Sequence, residues 1–187
     1  MQAAGKCWLE SHDVLFDAPS DCFLSGWKNP LNSVNPSSGA VIVGAGCPPP
    51  GTYGRYWDTD RSWFNNSDKG SSNYGARIDI QDWAQEITTP GIRYPDLIAI
   101  DDPDYWSTLS FGNTSGSRAM IGGLLASLNS ILKVRGLRPI TSPEAIRLLR
   151  SRERLSKRAQ NSRRSHRIRN QPNMQALIPA TIALVSA

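Results

Sequence analysis

The pattern of apolar and polar positions predicts two strands in the first half of the chain. Apolar and small residues follow one another without a break from Ala40 to Gly46. Such a run is typical of a strand in a parallel sheet that is covered on both faces. Residues 77–84 instead alternate between polar and apolar, which predicts a strand with one buried face. Together the two patterns indicate an α/β protein.

The longest apolar segment predicts a buried helix. It runs from Met120 to Leu132, and its large side chains cover more than one helical face, so we expect an enclosed helix rather than a half-exposed one. Two glycines inside it, Gly122 and Gly123, should each cost about 1 kcal/mol relative to alanine, which indicates a close approach of the sheet to the helix. Gly136 supplies a left-handed residue at which the helix ends.

A turn of small residues brings a hydroxyl group to the start of this helix. Residues 111–119 read Phe-Gly-Asn-Thr-Ser-Gly-Ser-Arg-Ala. Because the N–H groups at a helix N-terminus are unpaired and the helix dipole is positive there, a negative charge beside them is stabilised. Ser115 is therefore a candidate nucleophile. The alternative is an ordinary helix cap, which is the commoner role of a Thr-Ser pair before a helix.

Two further helices are predicted towards the end of the chain. One begins either with Ser142 as its N-cap or with Thr141 and Glu144 as a capping box. Residues 172–178 predict a short helix that packs back on the domain. The apolar residues 176–187 are too few to span a bilayer, and no apolar signal segment stands at the start, so we expect no membrane partner.

The positive charge of the chain is concentrated in one stretch. The 187 residues carry a net charge of +5, yet ten lysines and arginines and a single acid lie between Arg147 and Arg169. Residues 150–170, called the basic segment below, contain almost no hydrophobic side chains, so we expect a solvated linker or an extended helix.

The same cations suggest an alternative function. Residues 147–169 could neutralise the phosphates of nucleic acid or of another polyanion. The stretch contains no aromatic side chains that would stack on bases, so nucleic acid is the less favoured partner.

The cysteines and the first histidine do not form a recognisable site. Cys7, Cys22 and Cys47 show neither a Cys-x-x-Cys pattern nor a Cys/His cluster, so we interpret them as free or partly buried thiols, with a Cys7–Cys22 disulfide as the alternative. We interpret His12, beside an aspartate, as a surface residue rather than a catalytic base.

Two clusters of aspartates raise the question of a metal ion. Residues 58–60 read Asp-Thr-Asp and residues 101–104 read Asp-Asp-Pro-Asp. Their oxygens could hold a hard cation such as calcium, but we interpret both clusters as solvated surface loops. The sequence therefore predicts no cofactor.

Separated pieces of the sequence, in one order, resemble the carboxyl half of the catalytic domain of the subtilase family of serine peptidases. Residues 2–6 (Gln-Ala-Ala-Gly-Lys) are similar to the family's Ala-Ala-Gly-Asn segment, and residues 38–46 to the strand that follows it. Residues 72–75 (Ser-Asn-Tyr-Gly) with residues 78–80 (Ile-Asp-Ile) resemble the next strand. Residues 111–115 (Phe-Gly-Asn-Thr-Ser) resemble the Gly-Thr-Ser nucleophile motif.

The resemblance implies the three-layer, parallel-sheet α/β fold of subtilisin, present here without its amino-terminal half. Residues 1–149 would form the carboxyl half of the peptidase domain, residues 150–170 a basic linker or insertion, and residues 171–187 the closing segment of the same domain.

By that resemblance, Ser115 attacks the scissile carbonyl of a peptide or protein substrate, a histidine takes its proton and an aspartate orients the histidine. The family's aspartate and histidine motifs lie amino-terminal to the pieces matched here. Lys6 stands at the position of the oxyanion-hole asparagine, Asn113 replaces a glycine, and Arg118 and Ala119 replace a serine and a proline. We therefore expect a serine endopeptidase domain that hydrolyses peptides only when an amino-terminal half supplies the missing residues.

Overall fold

The structure, a computed structural model, describes part of the chain in detail. The described residues are 1–5, 25–29, 32, 34–46, 72–73, 75–84, 87–90, 97–98, 102, 104, 106–151, 153–154 and 171–186. Several residues singled out in the sequence lie outside these ranges: Lys6, Cys7, His12, Cys22, Cys47, residues 58–60 and Asp101.

Eight strands and three helices are described. In chain order they are β1 (Gln2–Ala3), β2 (Ile42–Gly46), β3 (Ile80–Trp83), β4 (Ile87–Pro90), β5 (Leu97–Ile98), β6 (Ser107–Phe111), α1 (Asn113–Val134), α2 (Ser142–Ser151), β7 (Glu153–Arg154), β8 (Gln171–Pro172) and α3 (Met174–Ser186).

A parallel sheet of β1, β2 and β3, in that order, lies at the centre of the described structure. Gln2 is paired with Ile42, and Val43 with Ile80. Every residue of β2 is buried, as expected for a strand that is covered on both faces. The predicted strand at residues 40–46 and the α/β class are therefore confirmed.

The prediction of one solvated face for β3 is wrong. Asp79 and Gln81, on the polar side of the alternation, are only 3% and 2% exposed. Asp79 can be buried because it accepts a hydrogen bond from the Ile42 N–H at 2.8 Å and forms an ion pair with Arg150. Alternation in the sequence thus identified the strand but not the environment of its second face.

Helix α1 packs across all three strands of the parallel sheet. Ile121 lies in one apolar core with Val43 and Ile80 of the sheet and with Leu149 and Leu177 of α2 and α3. The helix is nevertheless not enclosed, which corrects the sequence-based expectation. Leu128 and Leu132 are also buried, but Leu124, Leu125 and Ile131 are only half-buried, and small residues face the solvent: Gly123, Ala126, Ser127 and Ser130.

The close approach of helix to sheet also lies elsewhere than predicted. A Cβ atom on Gly123 would meet nothing within 4 Å, and one on Gly122 would meet only the Met1 methyl group at 2.8 Å. A Cβ atom on Gly116, in the first turns of α1, would come within 2.5 Å of the Ile87 Cδ1 atom. Gly116 is therefore the glycine whose missing side chain lets α1 pack closely.

The helix ends follow the sequence signals. At the end of α1, Gly136 has φ +69°, its N–H donates to the Lys133 carbonyl, and the Leu137 N–H donates to the Leu132 carbonyl, which is the Schellman arrangement. At the start of α2, the Thr141 N–H donates to Glu144 Oε2 at 2.8 Å.

Of the two alternatives for the start of α2, the structure thus favours Thr141 with Glu144, which form one of the two hydrogen bonds of a capping box. The Ser142 hydroxyl donates instead to the Gly39 carbonyl, in the chain leading to β2. A side-chain hydrogen bond from Arg138, supported by Thr141, lowers the pKa of Glu144 to about 2.

Two smaller sheets were not predicted. β4, β6 and β5 form an antiparallel sheet in that order. β7 and β8 form an antiparallel pair in which Arg154 is paired with Gln171, so the two sides of the basic segment meet. The last helix, α3, spans 13 residues and contains Pro179. None of the described helices is long and apolar enough to cross a membrane.

Candidate active site

The first turn of α1 is fixed to the carboxyl end of β3. The Asn113 N–H donates to the Ala84 carbonyl at 2.6 Å. The Ser117 hydroxyl donates to the carbonyls of Asp82 and Trp83, at 2.8 and 3.0 Å. The Asn113 hydrogen bond and the Ser117 proton shared between two carbonyls place the start of the helix at the edge of the sheet where the parallel strands end.

Ser115 is the exposed residue of this first turn. Its neighbours Thr114 and Ser117 are 2% and 0% exposed, whereas Ser115 is accessible to solvent. Its hydroxyl makes no hydrogen bond to any residue of the described ranges. The structure thus leaves this hydroxyl available for a reaction or for a ligand.

The interpretation of the Thr-Ser pair as an ordinary cap is wrong. Gly112 occupies the N-cap position, and α1 has no side-chain cap. The first turn also contains no acidic residue. Ser115 is the third residue of the helix, where the positive end of the helix dipole is not neutralised by a capping group.

Asn113 is held in an unfavourable state beside Ser115. Its φ of +64° is in the left-handed region, which costs residues with a Cβ atom more than glycine. Its side-chain Oδ1 atom is buried and accepts no hydrogen bond from the described residues, which is also unfavourable. The hydrogen bond from its N–H to Ala84 fixes this conformation.

Apolar side chains from the antiparallel sheet flank the same turn. The Phe111 ring and Ile87 lie around Gly116, with the ring 3.5 Å from the position of a Cβ atom there. Phe111, the last residue of β6, remains 39% exposed. A partly exposed aromatic ring therefore lies beside Gly116, the residue that follows Ser115.

The carboxyl ends of β1 and β2 are tied together by Ser72 and Asn73. The Asn73 side chain donates to the Ala4 carbonyl at 2.9 Å, and its N–H donates to the Gly5 carbonyl at 2.9 Å. The Ser72 hydroxyl accepts a hydrogen bond from the Ala45 N–H. The backbone just before Lys6, the predicted oxyanion residue, is thereby fixed.

The other residues considered for catalysis lie elsewhere in the chain. Lys6 and both histidines, His12 and His166, lie outside the described residues. Ser115 is thus the one predicted catalytic residue whose surroundings are known.

Asp82 is a titratable group that the sequence analysis did not single out. It is half-buried at the end of β3. Burial raises the pKa of Asp82 to about 6. The Trp83 N–H, which donates to Asp82 Oδ1 at 2.8 Å, lowers the pKa by a smaller amount. The sequence could have indicated this residue, because Asp82 occupies the next alternate position after the apolar residues Ile78 and Ile80.

The other candidate sites receive little support from the described residues. Asp102 and Asp104 are exposed, and the Asp104 N–H donates to Asp102 Oδ1 at 3.0 Å. Within the described ranges no group of three or more metal-ligating side chains is present. Arg150 is paired with Asp79, and most of the basic segment lies outside the described residues, so its binding to polyanions stays a prediction.

No protein-family model matches the sequence, and no curated protein matches it. Among solved structures, the chain is similar to one described as "Structure of Patellamide maturation protease PatA", with 16% sequence identity and a TM-score of 0.48. The similarity covers 79% of this chain and 44% of that chain, so this chain spans less than half the length of that protein. A likeness of this extent does not assign the chain to a family.

Proposed function

We propose that the chain is a subtilisin-like serine peptidase domain in which Ser115 is the nucleophile for peptide-bond hydrolysis. The observation that carries the proposal is the exposed hydroxyl of Ser115. It lies in the first turn of α1, a helix without a side-chain cap, at the carboxyl edge of a parallel sheet. A negative charge that develops on an attacked carbonyl would be stabilised there by unpaired N–H groups.

The arrangement of the resembling segments supports the same proposal. Residues 2–3, 42–46 and 80–83 are adjacent strands, residues 72–73 join the ends of the first two, and residues 113–117 are bonded to the third. Motifs that are far apart in sequence thus meet in one place. The pairing of β7 with β8 and the packing of α3 on α2 support the assignment of residues 171–187 to the same domain, with the basic segment as an insertion.

We further propose that this chain does not hydrolyse peptides alone. Hydrolysis by a serine needs a base that takes the proton of the hydroxyl. No histidine lies within the described ranges, and the Ser115 hydroxyl has no hydrogen-bonded partner there. Loss of members of such a triad lowers turnover on the order of 10⁴- to 10⁶-fold.

A fluorophosphonate probe with added imidazole tests both parts of the proposal. Without imidazole, the probe should label Ser115 no faster than Ser127 and Ser130, which are exposed residues of the same helix. With imidazole as an external base, Ser115 should react at least about tenfold faster than these two serines, because only its surroundings stabilise the developing charge.

Ser115→Ala is the matched control and should remove the imidazole-dependent label. Equal labelling of the three serines in the presence of imidazole would show that Ser115 is not the nucleophile. Rapid labelling of Ser115 without imidazole would instead show that the chain contains its own base.

A further inference from the structure

Asp82 places an acidic side chain in an otherwise apolar position of the parallel sheet. Successive residues of a strand alternate between its faces, so Asp82 lies on the same face as Ile80. Ile80 belongs to the core that contains Ile121 of α1. The carboxyl group therefore lies on the helix-covered face, at the end of β3 where α1 begins.

Backbone atoms of residues 82–84 form the junction between β3 and α1. The Ser117 hydroxyl donates to the carbonyls of Asp82 and Trp83, and the Asn113 N–H donates to the Ala84 carbonyl. The Asp82 carboxyl accepts a hydrogen bond from the Trp83 N–H of the same junction. The carboxyl group thus belongs to the same three-residue junction as the carbonyls that hold the first turn of α1.

The elements packed around β3 offer Asp82 no counter-charge among the described residues. Its neighbours on β2, Ala45 and Gly46, are uncharged, and β8 contains only Gln171 and Pro172. Arg118 is the charged residue in the first two turns of α1, and its side chain is exposed. Arg77 and Asp79 lie at the other end of β3, where Asp79 is paired with Arg150.

We propose that Asp82 is a pH-dependent switch in this junction: in its protonated form it holds the end of β3 against the first turn of α1, and its ionisation loosens that contact. Through this contact Asp82 would also control the placement of Ser115, a consequence that rests on the proposed function.

The direction of the switch follows from the surroundings of the carboxyl. Burial raises the pKa of Asp82 to about 6, so the folded state favours the proton. Stability from the protonated group is therefore present at acid pH and is lost as the pH rises through 6. Above that pH the carboxylate has one N–H donor within the described structure and must draw in water, which competes for the junction's carbonyls.

Hydrogen exchange of the Asn113 N–H tests the switch in the intact chain. Relative to intrinsic exchange rates, its protection should fall by up to about tenfold between pH 5 and pH 8, which is the limit that the raised pKa of Asp82 allows over this interval. The N–H of Leu128, in the buried middle of α1, should keep its protection. In Asp82→Asn, which retains an acceptor for the Trp83 N–H, the protection of Asn113 should not depend on pH.

Asp102→Asn, at an exposed aspartate, is the matched control and should behave like the parent. The proposal is overturned if the parent shows no change at Asn113, if Leu128 changes as much as Asn113, or if Asp82→Asn keeps the pH dependence. The first two outcomes need no variant to fold. Because exchange requires no reaction at Ser115, its result is independent of the labelling experiment.

Discussion

At the scale of single residues, Asn113 shows how the candidate site deviates from the most stable local structure. A glycine would adopt φ +64° without steric cost and would remove the buried, unpaired Oδ1 atom. We expect Asn113→Gly to increase the free energy of unfolding by about 1 kcal/mol, after the greater chain entropy of glycine in the unfolded state is subtracted. Urea unfolding followed by circular dichroism measures the change.

The Asn113→Ala variant separates the two causes. Alanine removes the unpaired oxygen but keeps a Cβ atom in the left-handed region, so this variant should be about 1 kcal/mol less stable than Asn113→Gly. If the alanine variant were as stable as the glycine variant, the backbone conformation would not be the source of strain.

Single residues also show what local sequence can reveal. The turn of small residues before an apolar helix was sufficient to find Ser115. The left-handed state of Asn113 was not predictable, because it depends on a hydrogen bond to Ala84, 29 residues earlier in the chain. Asp82 could be detected in the sequence, because it is an acidic residue at a position where the alternation predicts an apolar one. Its burial, however, depends on the helix that packs over it.

At the scale of elements, the glycines of α1 form a matched pair of tests. Gly123 is exposed, with open space around it, so Gly123→Ala should stabilise the protein by up to about 1 kcal/mol through helix propensity. Gly116→Ala gains the same propensity, but its Cβ atom would come within 2.5 Å of Ile87 Cδ1. Since this methyl group must move to make room, we expect Gly116→Ala to be about 1 kcal/mol less stable than Gly123→Ala. Thermal unfolding of both variants measures the difference, and equal shifts would contradict this view of the helix–sheet contact.

The same helix shows why its packing was predicted only in part. Apolar periodicity predicted the helix, and Gly136 predicted its end. The apolar periodicity did not show which faces of the helix are covered. Leu124 and Leu125 are half-buried and Leu128 is buried, yet all three are leucines in the same apolar pattern. Coverage depends on where α2 and α3 pack, and their positions are not encoded within the helix.

At the scale of the whole molecule, the parallel sheet could be predicted and the polar contacts across it could not. The uninterrupted apolar run at residues 40–46 is a local signal, and it predicted a central strand correctly. The ion pair of Asp79 with Arg150 joins residues 71 positions apart, so no local pattern contains it. The antiparallel sheet of β4, β6 and β5 was missed for the same reason, since strand pairing is a non-local property.

The Asp79–Arg150 pair provides a test of how β3 and α2 are held together. Arg150 contacts Asp79 Oδ1 through Nε and Nη2 at 2.8 and 2.6 Å, and the Asp79 side chain is 4% exposed. Burial raises the pKa of Asp79, while the Ile42 N–H and Arg150 oppose that increase. Arg150→Met removes one opposing group, so the pKa should rise further and the carboxylate should become more costly to bury.

We expect Arg150→Met to lower the free energy of unfolding by about 2–3 kcal/mol at pH 8, because a buried carboxylate loses its partner while the half-exposed arginine side chain limits the loss. The loss should be smaller at pH 4.5, since a group with a raised pKa in the folded state contributes stability that disappears as the pH rises. Urea unfolding of parent and variant at each pH gives the difference, in which any contribution of Asp82 cancels.

Asp79→Asn combined with Arg150→Met should recover part of the loss at pH 8, since the neutral amide still accepts from the Ile42 N–H. An equal loss at both pH values, or no recovery in the double variant, would show that Arg150 does not offset the cost of burying the Asp79 charge.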